Sequence, residues 1–151
     1  YITLAEWETY ASIAGWVTVG TDAAKEVYLR RAAQYLDREF SYVGYAAEET
    51  QAMKWPRHLG KYIEGYWIDE TVIPQDIKNA QAEMAWLIHE GTDLFASTDA
   101  GAVASLSVQA GSVSSTTTYE GARAKPRHRA VDGLLRPYLA AGMGQTRLVR
   151  G

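Results

Sequence analysis

The stretch that decides the fold is IPQDIKNAQAEMAWLIHEG, residues 73–91. Pro74 opens a helix: its missing N–H is harmless in the first turn, and its fixed φ already suits a helix. Asp76 sets a carboxylate near the positive end of the helix dipole. Ile77, Ala80, Met84, Ala85, Leu87 and Ile88 then recur at three- and four-residue spacing, so one face is apolar. Gly91 ends the helix, because glycine adopts the left-handed conformation that terminates helices without penalty.

Upstream, Thr3-Leu4-Ala5-Glu6 reads as a capping box. Leu4, Trp7, Ala11 and Ala14 continue at helical spacing to an end near Gly15. A second helix starts with Thr21 or Asp22 as N-cap. Its expected apolar stripe is Val27, Tyr28, Ala32, Tyr35, Leu36 and Phe40, with Lys25, Arg30, Arg31 and Asp37 facing water. Ser41 to Gly44 breaks that helix, and Glu48 to Lys54 reads as a short helical piece running into Trp55-Pro56-Arg57. Proline forces the preceding Trp55 into an extended conformation, which turns the chain and lets the indole plug the core. Lys61 to Ile73 is aromatic and irregular, with Glu64-Gly65 as a tight turn between two extended pieces.

Downstream the period changes from about 3.6 to 2. Leu106 and Val108, then Val113 with a Ser/Thr run to Tyr119, read as two strands joined around Ala110-Gly111. Residues 120–128 form a basic loop. A fourth helix is expected from about Ala130 to Ala140, with Pro137 kinking it or ending it early. Gly142-Met143-Gly144 is a flexible joint before the terminal Thr146 to Gly151. The fold class is therefore mainly α: a small bundle of about four helices with one β-hairpin and an extended C-terminal arm. Residues 1–141 form the helical domain, with the hairpin at about 103–119, and 142–151 form the arm. Ser/Thr-rich hairpins are marginal alone in water, so neighbouring chains are expected to complete this one.

The 151 residues suit one domain, and 47% hydrophobic with 22% charged residues is ordinary globular usage. No cysteine is present, which excludes a disulfide scaffold, a thiol nucleophile and a cysteine-ligated metal site. No apolar run approaches the ~18–20 residues of a membrane span, and the N-terminus lacks a signal-peptide pattern. A soluble chain made in a cytoplasm is the expectation, with no membrane partner. Net charge is −3, but it is unevenly spread. Residues 1–119 hold 8 Lys/Arg against 16 Asp/Glu, whereas residues 120–151 hold 7 against 2. An acidic body with a basic C-terminal region suggests that this region meets something negative.

Catalysis requires converging groups, and none is legible. His58, His89 and His128 lie on separate segments without metal-ligand spacing. The serines between Ser105 and Ser115 lack a Gly-x-Ser-x-Gly elbow, and Gly142-Met143-Gly144 lacks the strand and helix of a phosphate loop. No enzyme activity, catalytic residue, metal or cofactor is expected. The five Trp and ten Tyr are a second clue. Lys54-Trp55-Pro56-Arg57 and Lys61-Tyr62 are the local candidates for stacking single-stranded nucleic acid. The same residue types dominate protein–protein hot spots, and the acidic body favours that use or the core.

Four segments carry a resemblance. They are Tyr1-Ile2-Thr3-Leu4-Ala5-Glu6, Gln51-Ala52-Met53-Lys54-Trp55-Pro56-Arg57, Ile73-Pro74-Gln75-Asp76-Ile77-Lys78-Asn79-Ala80, and Arg147-Leu148-Val149-Arg150-Gly151. In this order and spacing the chain resembles small phage and prophage proteins encoded near portal and capsid genes. These are often labelled DnaT-like single-stranded-DNA-binding, but look similar to head–tail connector adaptors. The aromatic run after Trp55-Pro56-Arg57 (Tyr62, Tyr66, Trp67) departs from the family pattern.

The resemblance implies a structural virion protein at the neck. It would form a dodecameric ring beneath the portal, extend the DNA channel, and offer a platform to the next connector or tail protein. The arm Arg147, Leu148, Val149 and Arg150 would reach the portal by adding a strand to a sheet edge, its arginines setting register against carboxylates. Arg123, Lys125, Arg127 and Arg129 would line the channel, in non-specific contact with packaged DNA, or bind the portal. Trp55, Pro56 and Arg57 would be a structural motif. The rival expectations are a single-stranded-DNA-binding protein, or another neck component such as a stopper or tail terminator.

Overall fold

The computed structural model describes residues 1–96, 105–110, 113–118 and 128–140. Helix α3 (Gln75–His89) is the centre of the larger of two compact units. Its Ile77, Ala80, Ala82, Met84 and Ala85 are fully enclosed, so it buries far more than one stripe. Helices α2 (Asp22–Glu39) and α4 (Arg129–Leu135) pack on it, and α1 (Leu4–Ala14) lies against both α2 and α3. The fold is mainly α, as the hydrophobic periods predict. Each enclosed Leu, Ile or Met stabilises it by about 1.5–3 kcal/mol relative to exposure.

Local chemistry explains the helix ends. The Glu6 amide donates to Thr3 Oγ1 at 3.3 Å, and the Thr3 amide donates to Glu6 Oε2 at 2.7 Å. This is the capping box seen in the sequence. Thr21 caps α2 by accepting from the Ala24 amide. At the far end of α3, Gly91 takes φ 89°, its amide donates to Ile88, and the Thr92 amide donates to Leu87. That pair of bonds is a Schellman stop, and it satisfies carbonyls the helix leaves open.

Two expectations are corrected. The inward face of α2 is Lys25, Leu29, Ala32, Ala33 and Leu36, whereas Val27 is exposed. Lys25 lies on the buried face because its methylene stem packs inward while its amine reaches Glu8 Oε1 at 2.6 Å. Residues 48–54 form turns rather than a helix. The Gln51 side chain accepts from the Glu48 amide and donates to the Met53 and Pro56 carbonyls, tying the successive turns to one another.

Pro137 ends α4 early, as its missing donor requires. The helix stops at Leu135, and Arg136–Tyr138 tightens into a 3₁₀ turn. Leu139 then bridges antiparallel to Tyr42, and the Val43 amide donates to the Tyr138 carbonyl at 2.9 Å. The irregular middle contributes two small antiparallel ribbons: β1 (Tyr45–Ala46) with β2 (Arg57–His58), and β3 (Tyr62–Ile63) with β4 (Tyr66–Trp67). Gly44, at φ 76°, lies so close to β2 that a Cβ would stand 1.9 Å from the His58 carbonyl oxygen.

The second unit contains β5 (Ser105–Ala110) and β6 (Val113–Thr118). They pair antiparallel from Ser105↔Thr118 to Ala110↔Val113, in a sheet of their own. The hairpin thus falls within the expected 103–119. Residues 97–104, 111–112, 119–127 and 141–151 lie outside the described residues, and with them most of the basic loop and the arm. No helix among the described residues is long and apolar enough to cross a membrane.

Candidate functional site

The Trp-Pro-Arg motif is a brace. Trp55 is 2% exposed, and its indole meets the Tyr42 and Tyr138 rings edge-on, at centroid distances of 5.4 and 5.8 Å. The Trp55–Pro56 peptide bond is cis. Arg57 is buried, and its guanidinium donates to the carbonyls of Val43 (3.1 Å), Lys54 (3.1 Å) and Gly44 (2.7 Å). Burial lowers the Arg57 pKa, and the nearby Asp37 carboxylate opposes that shift. Five donors in a planar fork suit this task, which a lysine could not perform. Lys54 adds an amine bond to the Phe40 carbonyl at 2.8 Å, and its amide donates to Asp37. Trp55 and Arg57 face inward, so Lys54-Trp55-Pro56-Arg57 serves the core rather than presenting the stacking surface for which it was a candidate.

The exposed aromatic surface lies just beyond. Glu64 and Gly65 both have positive φ, 50° and 86°, the signature of a type I′ turn between β3 and β4. That turn sets Tyr62 directly opposite Trp67, with ring centroids 5.5 Å apart. Trp67 meets His58 at 6.1 Å, and His58 stacks on its cross-strand partner Tyr45 at 5.0 Å. The four rings touch in series across two ribbons, edge-on at both Trp67 contacts and stacked between Tyr45 and His58, and together make one aromatic surface, the plate. Tyr45, Tyr62 and Trp67 remain 65%, 67% and 54% exposed.

One carboxylate touches the plate directly. Glu70 Oε2 lies 2.5 Å from His58 Nδ1, and Asp69 accepts from the Thr71 amide and hydroxyl. Bonds from Thr71 hold the Asp69 carboxyl below its usual pKa. Glu64 sits in the turn itself. Against these stands Lys61, whose amine donates to the Pro137 carbonyl at 3.0 Å.

The remaining expected site residues are apart from the plate. Arg129 is exposed at the start of α4. Arg123, Lys125, Arg127, Arg147, Leu148, Val149 and Arg150 lie outside the described residues. His89 packs among Trp7, Tyr28 and Trp86 and accepts from the Val19 amide, while His128 meets Tyr35. Among the described residues, no three His, Asp or Glu converge as a metal site. The aromatic run at 62–67 was visible in the sequence. Tyr45 and His58 were missed, because only strand pairing brings them beside it.

Over residues 1–151 the chain belongs to the family described as "Putative DnaT-like ssDNA binding protein". No curated protein and no solved structure matches it.

Proposed function

We propose that the chain is a head–tail connector (adaptor) subunit of a tailed-phage particle, working as a member of a ring beneath the portal. The observation that carries this reading is the β5–β6 hairpin. Its six paired positions form a two-stranded sheet of their own, with no further strand on either edge among the described residues. An isolated two-stranded ribbon is marginal in water, and its open edges invite strands from neighbours. Repeated contacts around a closed ring make individually weak interfaces durable. In this reading the portal and a downstream connector or tail protein are the other partners. Arg147, Leu148, Val149 and Arg150 engage the portal, while Arg123, Lys125, Arg127 and Arg129 face the channel or the portal. The subunit needs neither cofactor nor catalytic residue, and it resides in the virion neck.

Cryo-electron microscopy of the particle's neck tests this. A ring of this chain directly under the portal supports the reading, and its absence from the particle overturns it. Deleting residues 142–151 should leave the body folded and abolish attachment to heads.

The family description and the plate favour a second reading, single-stranded DNA binding. Exposed Tyr and Trp rings stack bases at about 1–3 kcal/mol each. Against it stand Glu70, paired with His58 beside those rings, and the 16 Asp/Glu against 8 Lys/Arg of residues 1–119, which repel a phosphate backbone. Salt-sensitive oligonucleotide binding, lost in Trp67→Ala, would favour DNA over the ring.

A further inference from the structure

The geometry points to His89 as an acid-released clasp on the loop that joins α1 to α2, a device independent of what the ring or the plate binds. The loop runs from Gly15 to Thr21, and both its glycines take positive φ, 75° at Gly15 and 108° at Gly20. Trp16 anchors its start by stacking on Trp86 of α3, with ring centroids 4.8 Å apart. Of residues 17–20, only the Val19 amide is hydrogen-bonded to the body among the described residues, and it donates to His89 Nε2 at 3.0 Å. A backbone amide can only donate, so Nε2 must offer its lone pair. The closed loop therefore requires a neutral ring with its proton on Nδ1. The side chain is 6% exposed, which leaves little room for water to replace the Val19 bond while the loop stays in place.

The other contacts of the ring tolerate a charge. His89 lies in the last turn of α3, where the helix dipole favours a cation. Its Nδ1 faces Glu90 Oε1 at 3.3 Å, and the ring stacks on Trp86 at 4.9 Å, an arrangement that attracts a cation. From α1 and α2 come the rings of Trp7 and Tyr28, both edge-on, at 6.5 and 5.8 Å. Protonating Nε2 thus sets one N–H against another at Val19 and spares the remaining contacts. A closed loop and a charged ring exclude each other, so the clasp holds at neutral and alkaline pH and opens as the pH falls. What it governs is an apolar surface, since Val17 and Val19 are 74% and 63% exposed.

Solvent exchange of the amides, read residue by residue by NMR between about pH 8 and 5, tests this. Corrected for the intrinsic rate, protection of the Val19 amide should fall by roughly tenfold or more. The fall should run in step with titration of the His89 ring, while Met84 and Ala85 in the middle of α3 stay protected. His89→Gln offers a side-chain oxygen that accepts from Val19 at every pH, so its Val19 protection should stay level. Glu90→Gln removes a charge that favours the imidazolium and should move release to lower pH, which keeps the test open if His89→Gln does not fold. Constant Val19 protection through the ring's titration, a ring that does not titrate in this range, or an equal loss in His89→Gln would each overturn the clasp. Simultaneous loss at Val19, Met84 and Ala85 would overturn it too, by showing that acid unfolds the whole unit.

Discussion

The Gln81 side chain accepts a hydrogen bond from the Ile2 amide at 2.8 Å, tying the first residues to the middle of the central helix. The same amide group donates to the Leu29 carbonyl at 2.9 Å, so one buried side chain joins α3 to two other segments. Replacing Gln81 with Ala leaves the buried Ile2 amide without its partner, at about 1–3 kcal/mol, whereas the Leu29 carbonyl keeps its bond within α2. Urea unfolding of Gln81→Ala should therefore show a stability lowered by roughly 1–3 kcal/mol at unchanged slope. A loss under about 0.5 kcal/mol would mean that water replaces the side chain.

Arg57 is expected to be as sensitive, for a different reason. Its guanidinium serves several carbonyls at once, and hydrogen bonds from a charged group contribute about 1.5–3 kcal/mol each where nothing replaces them. Arg57→Ala should lower the melting temperature strongly, and Arg57→Lys should recover less than half of that loss. Full recovery by lysine would show that the charge matters and the fork does not.

Acid should weaken the first helix before the core. Glu6 is held down to about 2, from 4.5, first by its bond to the Lys78 amine and then by bonds from Thr3. A depressed carboxylate contributes stability that is complete above its unfolded pKa. That stability is lost as pH falls from about 4.5 through about 2. Lys78→Met should flatten the stability profile across that window and leave it unchanged in shape near pH 7. Because Glu6 is substantially exposed, added salt should shrink the effect.

The I′ turn is the local control of the plate. Gly65→Ala forces a side chain into φ 86°, at about 1–2 kcal/mol. Amide exchange at 62–67 should accelerate by roughly tenfold, while α3 amides stay protected. Uniform acceleration throughout the unit would show instead that this ribbon supports the core.

Much of this was legible in the sequence. The capping box at Thr3, the Gly91 stop, the Glu64-Gly65 turn, the enclosed Trp55 and the 103–119 hairpin all follow from local rules that act over a few residues. The errors lie where tertiary contacts override those rules. Lys25 looked solvent-facing because no sequence period reveals Glu8 beside it, and 48–54 looked helical because Gln51's three backbone bonds were invisible. Half of the plate was legible as an aromatic run. The other half depends on β1 pairing with β2, a juxtaposition without local signature.

Gly44 bears on how this surface can change over time. Any side chain there would press on the His58 carbonyl and wedge β1 from β2, lifting Tyr45 off the His58 ring. The rings at 45, 58, 62 and 67 can be exchanged one at a time for other shapes, altering what is recognised. Their spacing cannot drift in the same way, since it is set by an atom the chain must do without. Relatives can therefore be expected to retarget the surface by repainting it, with position 44 kept bare.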